Sequence, residues 1–170
     1  MVKGLKQTSS TIVIGANVSE TAPNTFAQER IDLQLNPLDN EVFVVQAVNL
    51  DLQAPDAVPA TNTQVRGSLS TTSLPTFGTL SNSSVIAVAK DDIRAAGFVD
   101  GGVGFSQSSM ETPPSGLDYI GIIATNDFFL QIVGANNVSV KSMGAKVYGY
   151  RARAEASTYA ALVQSEVLSS

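Results

Sequence analysis

The sequence contains neither cysteine nor histidine in its 170 residues, and each absence removes chemistry. Without cysteine there is no disulfide and no thiolate to act as nucleophile or metal ligand. Without histidine, imidazole metal sites and the usual serine triad cannot be built. Charge is scarce as well. Asp, Glu, Lys and Arg make up 15% of the chain, where about a quarter is ordinary. The surface must therefore be largely Ser, Thr, Asn, Gln and Gly, or be covered by other copies. Neutral polar surface costs less to desolvate than charge, so this composition favours assembly.

The formal net charge of -5 and pI near 4.5 argue against a free-standing nucleic-acid binder, which would carry a basic stripe. Lys3 and Lys6 make a solubilised tail rather than a DNA-binding arm. No stretch reads as a signal peptide or as the run of roughly 20 apolar residues that a membrane-spanning helix needs. What is present is a 44% hydrophobic share, typical of chains that fold, in a length suited to one domain.

Most of the chain reads as β-structure. "STIVIGANVS" (10–19) is a short apolar strand, "RIDLQL" (30–35) alternates, and "NPLDN" (36–40) reads as a turn. The strongest strand is "EVFVVQAVNLDLQ" (41–53). Val42, Val44, Val48, Leu50 and Leu52 share one parity, interrupted by Gln46. The other face begins apolar, at Phe43 and Val45, and turns polar at Asn49, Asp51 and Gln53. Such a strand lies between neighbours on both faces at one end only.

"NTQVRGSLSTT" (62–72) and "SSVIAVAK" (83–90) follow as strands, with Phe77 as an anchor in the loop between them. "DDIRAAGF" (91–98) reads as a helical turn started by Asp91 or Asp92. A strand through Val103 and Phe105 is expected in a glycine-rich stretch. The later strands are "LDYIGIIAT" (117–125), "DFFLQIVG" (127–134) and one strand or a pair within 136–155. Eight or nine short strands at close spacing point to an all-β antiparallel sandwich or a barrel. Only the end is helical: Ser157 fits an N-cap, and Tyr159, Leu162, Val163 and Val167 fall about one face. This apolar side docks either on its own chain or on a neighbouring subunit. The expected organisation is a flexible tail over 1–9, a sandwich over 10–156 and a helical docking tail over 157–170.

Candidate chemistry is thin. Asp32 with Asp39 and Glu41, or Asp51 with Asp56, are conceivable carboxylate pairs, but turns and strand ends commonly hold such groups in water. "GGVGF" (101–105) lacks the lysine of a phosphate loop. No loop carries regularly spaced calcium ligands, and no cofactor is implied. "NVS" (17, 137) and "NSS" (82) match glycosylation sequons and read as chance in an Asn/Ser-rich chain. Tyr148 and Tyr150 share one strand face, with Arg151 and Arg153 on the other. Tyrosine with arginine suits a protein interface, and a buried tyrosine ladder and a ligand-stacking platform are the other readings. The candidate interface is thus Tyr148, Tyr150, Arg151, Arg153, Tyr159, Leu162, Val163 and Val167.

The long strand "EVFVVQAVNLDLQAP", the late pair "LDYIGIIATNDFFLQIVG" and the final "AKVYGYRARAE" before a docking tail resemble the single jelly-roll capsid proteins of icosahedral viruses. The end in particular resembles those of tailless viruses of bacteria or archaea. The resemblance implies eight strands in two facing sheets and a virion subunit, made in the host cytoplasm, whose partners are other copies of itself and other capsid proteins. It implies no catalytic residues and no sequence-specific nucleic-acid binding. The missing basic arm suits a shell resting on an internal membrane, or a genome neutralised by another protein. A decoration, spike or tail protein and a carbohydrate-binding sandwich are the alternative readings.

Overall fold

The computed structural model describes residues 2–95 and 116–168, together with the backbone of a strand at 105–110. Ten strands are seen among the described residues: β1 (Leu5–Gln7), β2 (Ile12–Ser19), β3 (Ala27–Asp32), β4 (Glu41–Leu52), β5 (Thr63–Ser70), β6 (Val85–Arg94), β7 (Phe105–Met110), β8 (Gly121–Ile123), β9 (Asp127–Ala135) and β10 (Ser142–Ala154). One helix, α1 (Ala156–Leu168), ends the described chain. The strands form two antiparallel sheets. The first has the order β1-β10-β4-β8, with β2 pairing β10 beyond β1, and the second the order β3-β9-β5-β6-β7. The pairings nest: β2 with β10, β3 with β9, β4 with β8, and β5 with β6. A second set, β10 with β4 and β9 with β5, winds that nested ribbon into the two sheets.

The inner faces of the sheets meet over one apolar core. Phe43, Val45, Leu50, Met143, Ala145 and Val147 come from the first sheet, and Val65, Leu69, Phe128, Leu130 and Ile132 from the second. Their period-two spacing follows from the strand pleat, which sends alternate side chains to one face. Gly67 permits a close approach there, since a Cβ on it would lie 2.2 Å from Met143 Sδ.

Several local expectations hold. "NPLDN" is a turn: Asn36 Oδ1 accepts from the Leu38 amide at 3.1 Å, and Asn40 takes a left-handed φ of 51°. Leu33 and Leu35 alternate into the core as read, although β3 itself ends at Asp32. Beyond it the extended chain is broken by the positive φ of Gln34, and the Leu33 amide donates to Asn126 O at 2.8 Å.

Three expectations need correction or restatement. Asp91–Arg94 is not a helical turn but the end of β6, paired with β5 and β7. Lys90, Asp92 and Arg94 alternate along one face. Buried Asp92 takes Lys90 at 3.2 Å and Arg94 at 3.8 Å, and also accepts from Gln64 on β5. The cross-strand pairing with β5 and β7, together with Gln64 and the two same-strand cations, outweighs the local capping preference of Asp. The helix begins at Ala156, so Ser157 lies inside it, and the Tyr159 amide donates to Glu155 O at 2.8 Å. The segment expected as an N-terminal tail contributes β1. Of the glycine-rich stretch at 99–116, residues 99–104, Val103 included, and 111–115 lie outside the described residues.

Candidate interface

A single irregularity divides the outer face of the first sheet into two halves. On β4, Val45 lies opposite Gly149 and Ala47 opposite Tyr148, so Gln46 is an extra residue in a β-bulge. A bulge of one residue reverses which parity faces which side. Before it, Phe43 and Val45 face the main core and Val42 and Val44 face outward. After it, Val48, Leu50 and Leu52 face the core and Ala47, Asn49 and Asp51 face outward. Gly149 is required at this point, because a Cβ would lie 2.3 Å from the Val44 carbonyl oxygen.

The apolar half is covered by α1. Tyr159, Leu162 and Val163 pack with Tyr150 on Leu5, Val42, Val44, Ala124, Ala152 and Ala154. The helix thus docks on its own chain's sheet. Near its far end, buried Glu166 accepts from the Ala124 amide at 2.7 Å and the Thr125 amide at 2.9 Å. Those two bonds hold a carboxylate in the last turn, where the helix dipole alone disfavours it.

The uncovered half is shallow and carries one charge of each sign, Lys146 and Asp51. Across β2, β10 and β4 the rows are Val13–Tyr148–Ala47, Gly15–Lys146–Asn49 and Asn17–Gly144–Asp51. Gly15 and Gly144 lower the floor of a trough of about 520 Å³. Val13 is 53% exposed and Tyr148 is half-buried.

The arginines lie on the opposite side of β10 and bind the β3–β4 connection. Arg151 donates to Glu41 Oε1 at 2.7 Å and to the carbonyls of Leu33 at 2.7 Å and Gln34 at 3.3 Å. Arg153 pairs with Asp39 at 3.1 Å. Burial pushes the Glu41 carboxyl up, but the Arg151 hydrogen bond, the Asn36 amide and the two arginine charges outweigh it, leaving the group below its ordinary range. The supposed carboxylate pair is thereby dispersed: Asp32 accepts from the Gln34 amide at 2.8 Å, and Asp39 and Glu41 hold arginines.

Of the eight sequence candidates, Tyr150, Tyr159, Leu162 and Val163 come together beneath the helix, and Arg151 and Arg153 form a separate group. Tyr148 lies in the uncovered half, and Val167 is 61% exposed near the helix end.

Sequence reasoning missed a polar cluster at the end of the sandwich. Asp56 Oδ1 accepts from buried Lys141 at 2.7 Å, and Oδ2 from the Ser139 hydroxyl at 2.8 Å and the Ser139 and Val138 amides at 2.9 and 3.0 Å. The Lys141 bond, then the Ser139 hydroxyl, hold the Asp56 carboxyl well below the usual carboxylate range, against the opposing effect of desolvation. Asn137 and Asn24 exchange backbone–side-chain bonds beside it at 2.8 and 2.9 Å. Among the described residues, no group of three or more acidic side chains is arranged to hold a metal ion. The arrangement is suited to fixing loops and presenting neutral surface. The sequence matches no protein-family model and no curated protein.

Proposed function

We propose that this chain is a structural virion subunit, a single jelly roll whose copies assemble into an icosahedral capsid shell. The observation that carries the reading is the nested, wound pairing of the strands: β2 with β10, β3 with β9, β4 with β8 and, innermost, β5 with β6. That connectivity fits the jelly rolls found in viral capsid domains, lectins and cupins. Within that set, the scarcity of charge favours a subunit that buries much of its surface against copies of itself. The dispersed carboxylates, each engaged in a structural bond, fit a protein that works by shape rather than turnover.

In this reading the rigid sandwich supplies the tile, lateral contacts are individually weak, and multivalency makes the shell stable. Assembly takes place in the host cytoplasm, and the partners are other copies and other capsid proteins. Light scattering on a sizing column followed by electron microscopy of the same fractions tests it. Closed shells or pentagonal and hexagonal clusters are expected. A small closed oligomer would favour a decoration or spike protein, and a strict monomer across salt and pH would overturn self-assembly.

A further inference from the structure

At one side of the sandwich β2 and β3 are the edges of the two sheets, and the two edges differ. β3 carries Glu29, Arg30 and Asp32 in six residues. Charged residues on an edge oppose pairing with another strand. β2 is "IVIGANVS": eight residues with no charge and no proline. Among the described residues it hydrogen-bonds β10 on one side and no strand on the other. The remaining edges are less suitable: β1 and β8 have three residues each. β7 is uncharged but shorter, at six residues.

The side chains behind β2 point the same way. Ile14 and Ala16 pack on the main core yet are only partly buried, while Val147 and Ala145 next to them on β10 are buried. Ala27 and Ile31 on β3 are likewise only partly buried, so an apolar seam runs between the two edges. Gly15 sits mid-strand with nothing within 4 Å of where a Cβ would be, leaving room for side chains from an added strand.

We propose that β2 is the surface through which two copies of this chain associate, edge to edge and antiparallel about a twofold axis, joining their first sheets into one. A second copy is the fitting occupant because an antiparallel strand offers its own donors and acceptors in complementary order. Between copies that each carry a net charge of -5, an uncharged edge is also where repulsion is least. The inference stands apart from the shell reading, since such a dimer can exist without a shell.

The cysteine-free chain permits a clean test with single thiols at Val13→Cys, Ile14→Cys, Gly15→Cys, Ala16→Cys and Asn17→Cys. Twofold antiparallel pairing sets one residue opposite itself, with Cα atoms about 4.5–5.5 Å apart, within disulfide reach. Mild oxidation should give a covalent dimer whose yield peaks at one β2 position. The yield there should exceed that of Glu29→Cys on β3 and Ser108→Cys on β7 several-fold. Gly15→Lys should weaken association at least roughly tenfold through like-charge apposition across the twofold, while its Tm falls only by the smaller cross-strand repulsion from Lys146. A flat yield profile, a peak on β3 or β7, or association indifferent to Gly15→Lys would overturn the proposal. Shells with a flat profile would remove the edge pairing alone. Covalent β2 dimers that never form shells would remove the shell reading alone.

Discussion

Both sheets carry a cover on their outer face, and the two covers are made of opposite materials. The first sheet is covered over half its length by α1 through Tyr159, Leu162 and Val163. The second is covered by the β5–β6 connection, residues 71–84, which is held by hydrogen bonds. Fully buried Gln131 on β9 donates to Gln28 Oε1 at 2.9 Å and Ser70 Oγ at 2.7 Å, and accepts from Ser68 Oγ at 2.7 Å. The loop closes on this set: Gly78 donates its amide to Ser68 Oγ at 2.8 Å, and Leu74 donates to Gln28 Oε1 at 2.9 Å. Phe77 lies under the Arg66 guanidinium, 4.7 Å from the ring centre. An apolar cover tolerates small shifts, because dispersion and desolvation are not directional. A polar cover holds one geometry, because each buried donor or acceptor left unpaired costs its desolvation.

The contrast predicts unequal responses to single substitutions. Gln131→Met keeps the volume but removes one hydrogen-bond partner each from Ser68, Ser70 and Gln28 and sets an apolar side chain among them. It should cost about 3 kcal/mol in urea unfolding, the largest effect here. If it cost less than the helix variants below, the polar cover would not be the stiffer of the two. Glu166→Ala leaves the amides of Ala124 and Thr125 without their carboxylate and should cost about 2 kcal/mol. Hydrogen exchange should then show both amides losing protection. Leu162→Ala trims a half-buried contact that the helix can partly close over, so about 1 kcal/mol is expected.

These two covers also differ in how far the sequence discloses them. The helix was legible because Tyr159, Leu162 and Val163 recur at helical spacing after a clear strand. The two-sided burial of β4 was legible from Val42 to Val45, but the bulge was not: Val42, Val44, Val48, Leu50 and Leu52 read as one face interrupted at Gln46, and the bulge divides that set between the two faces. Gln131 gave no such signal. Within "DFFLQIVG" it reads as a polar interruption on a strand's outer face, and nothing local says that a loop 50 residues earlier covers it. Asp92 misled in part for the same reason: its neighbours suggest a cap, and although Lys90 and Arg94 lie two residues away on its own strand, Gln64 comes from β5. The interface candidates on β10 were located on the correct faces, but which side meets the helix and which meets Asp39 and Glu41 depends on pairings far apart in the chain.

The subtlest test of polar against apolar fastening is acid. The helix cover rests mainly on apolar contacts, whereas the end of the sandwich depends on Asp56 as a carboxylate, bonded to Lys141, Ser139 and Val138. Its folded pKa is depressed, so the unfolded chain takes up a proton there first as pH falls. The contribution is therefore complete above the unfolded Asp value of about 3.9 and is lost progressively below it, as pH approaches the folded pKa. Glu41 is shifted in the same direction, so acid sensitivity of the whole protein does not isolate Asp56. The difference between wild type and Asp56→Asn does. The wild type should melt higher by a constant margin between pH 5 and 7, and that margin should narrow steadily below about pH 4. A margin that persists undiminished at the lowest accessible pH would mean that Asp56 acts through the shape of its loop. Its charge would then not be what fastens this end of the sandwich.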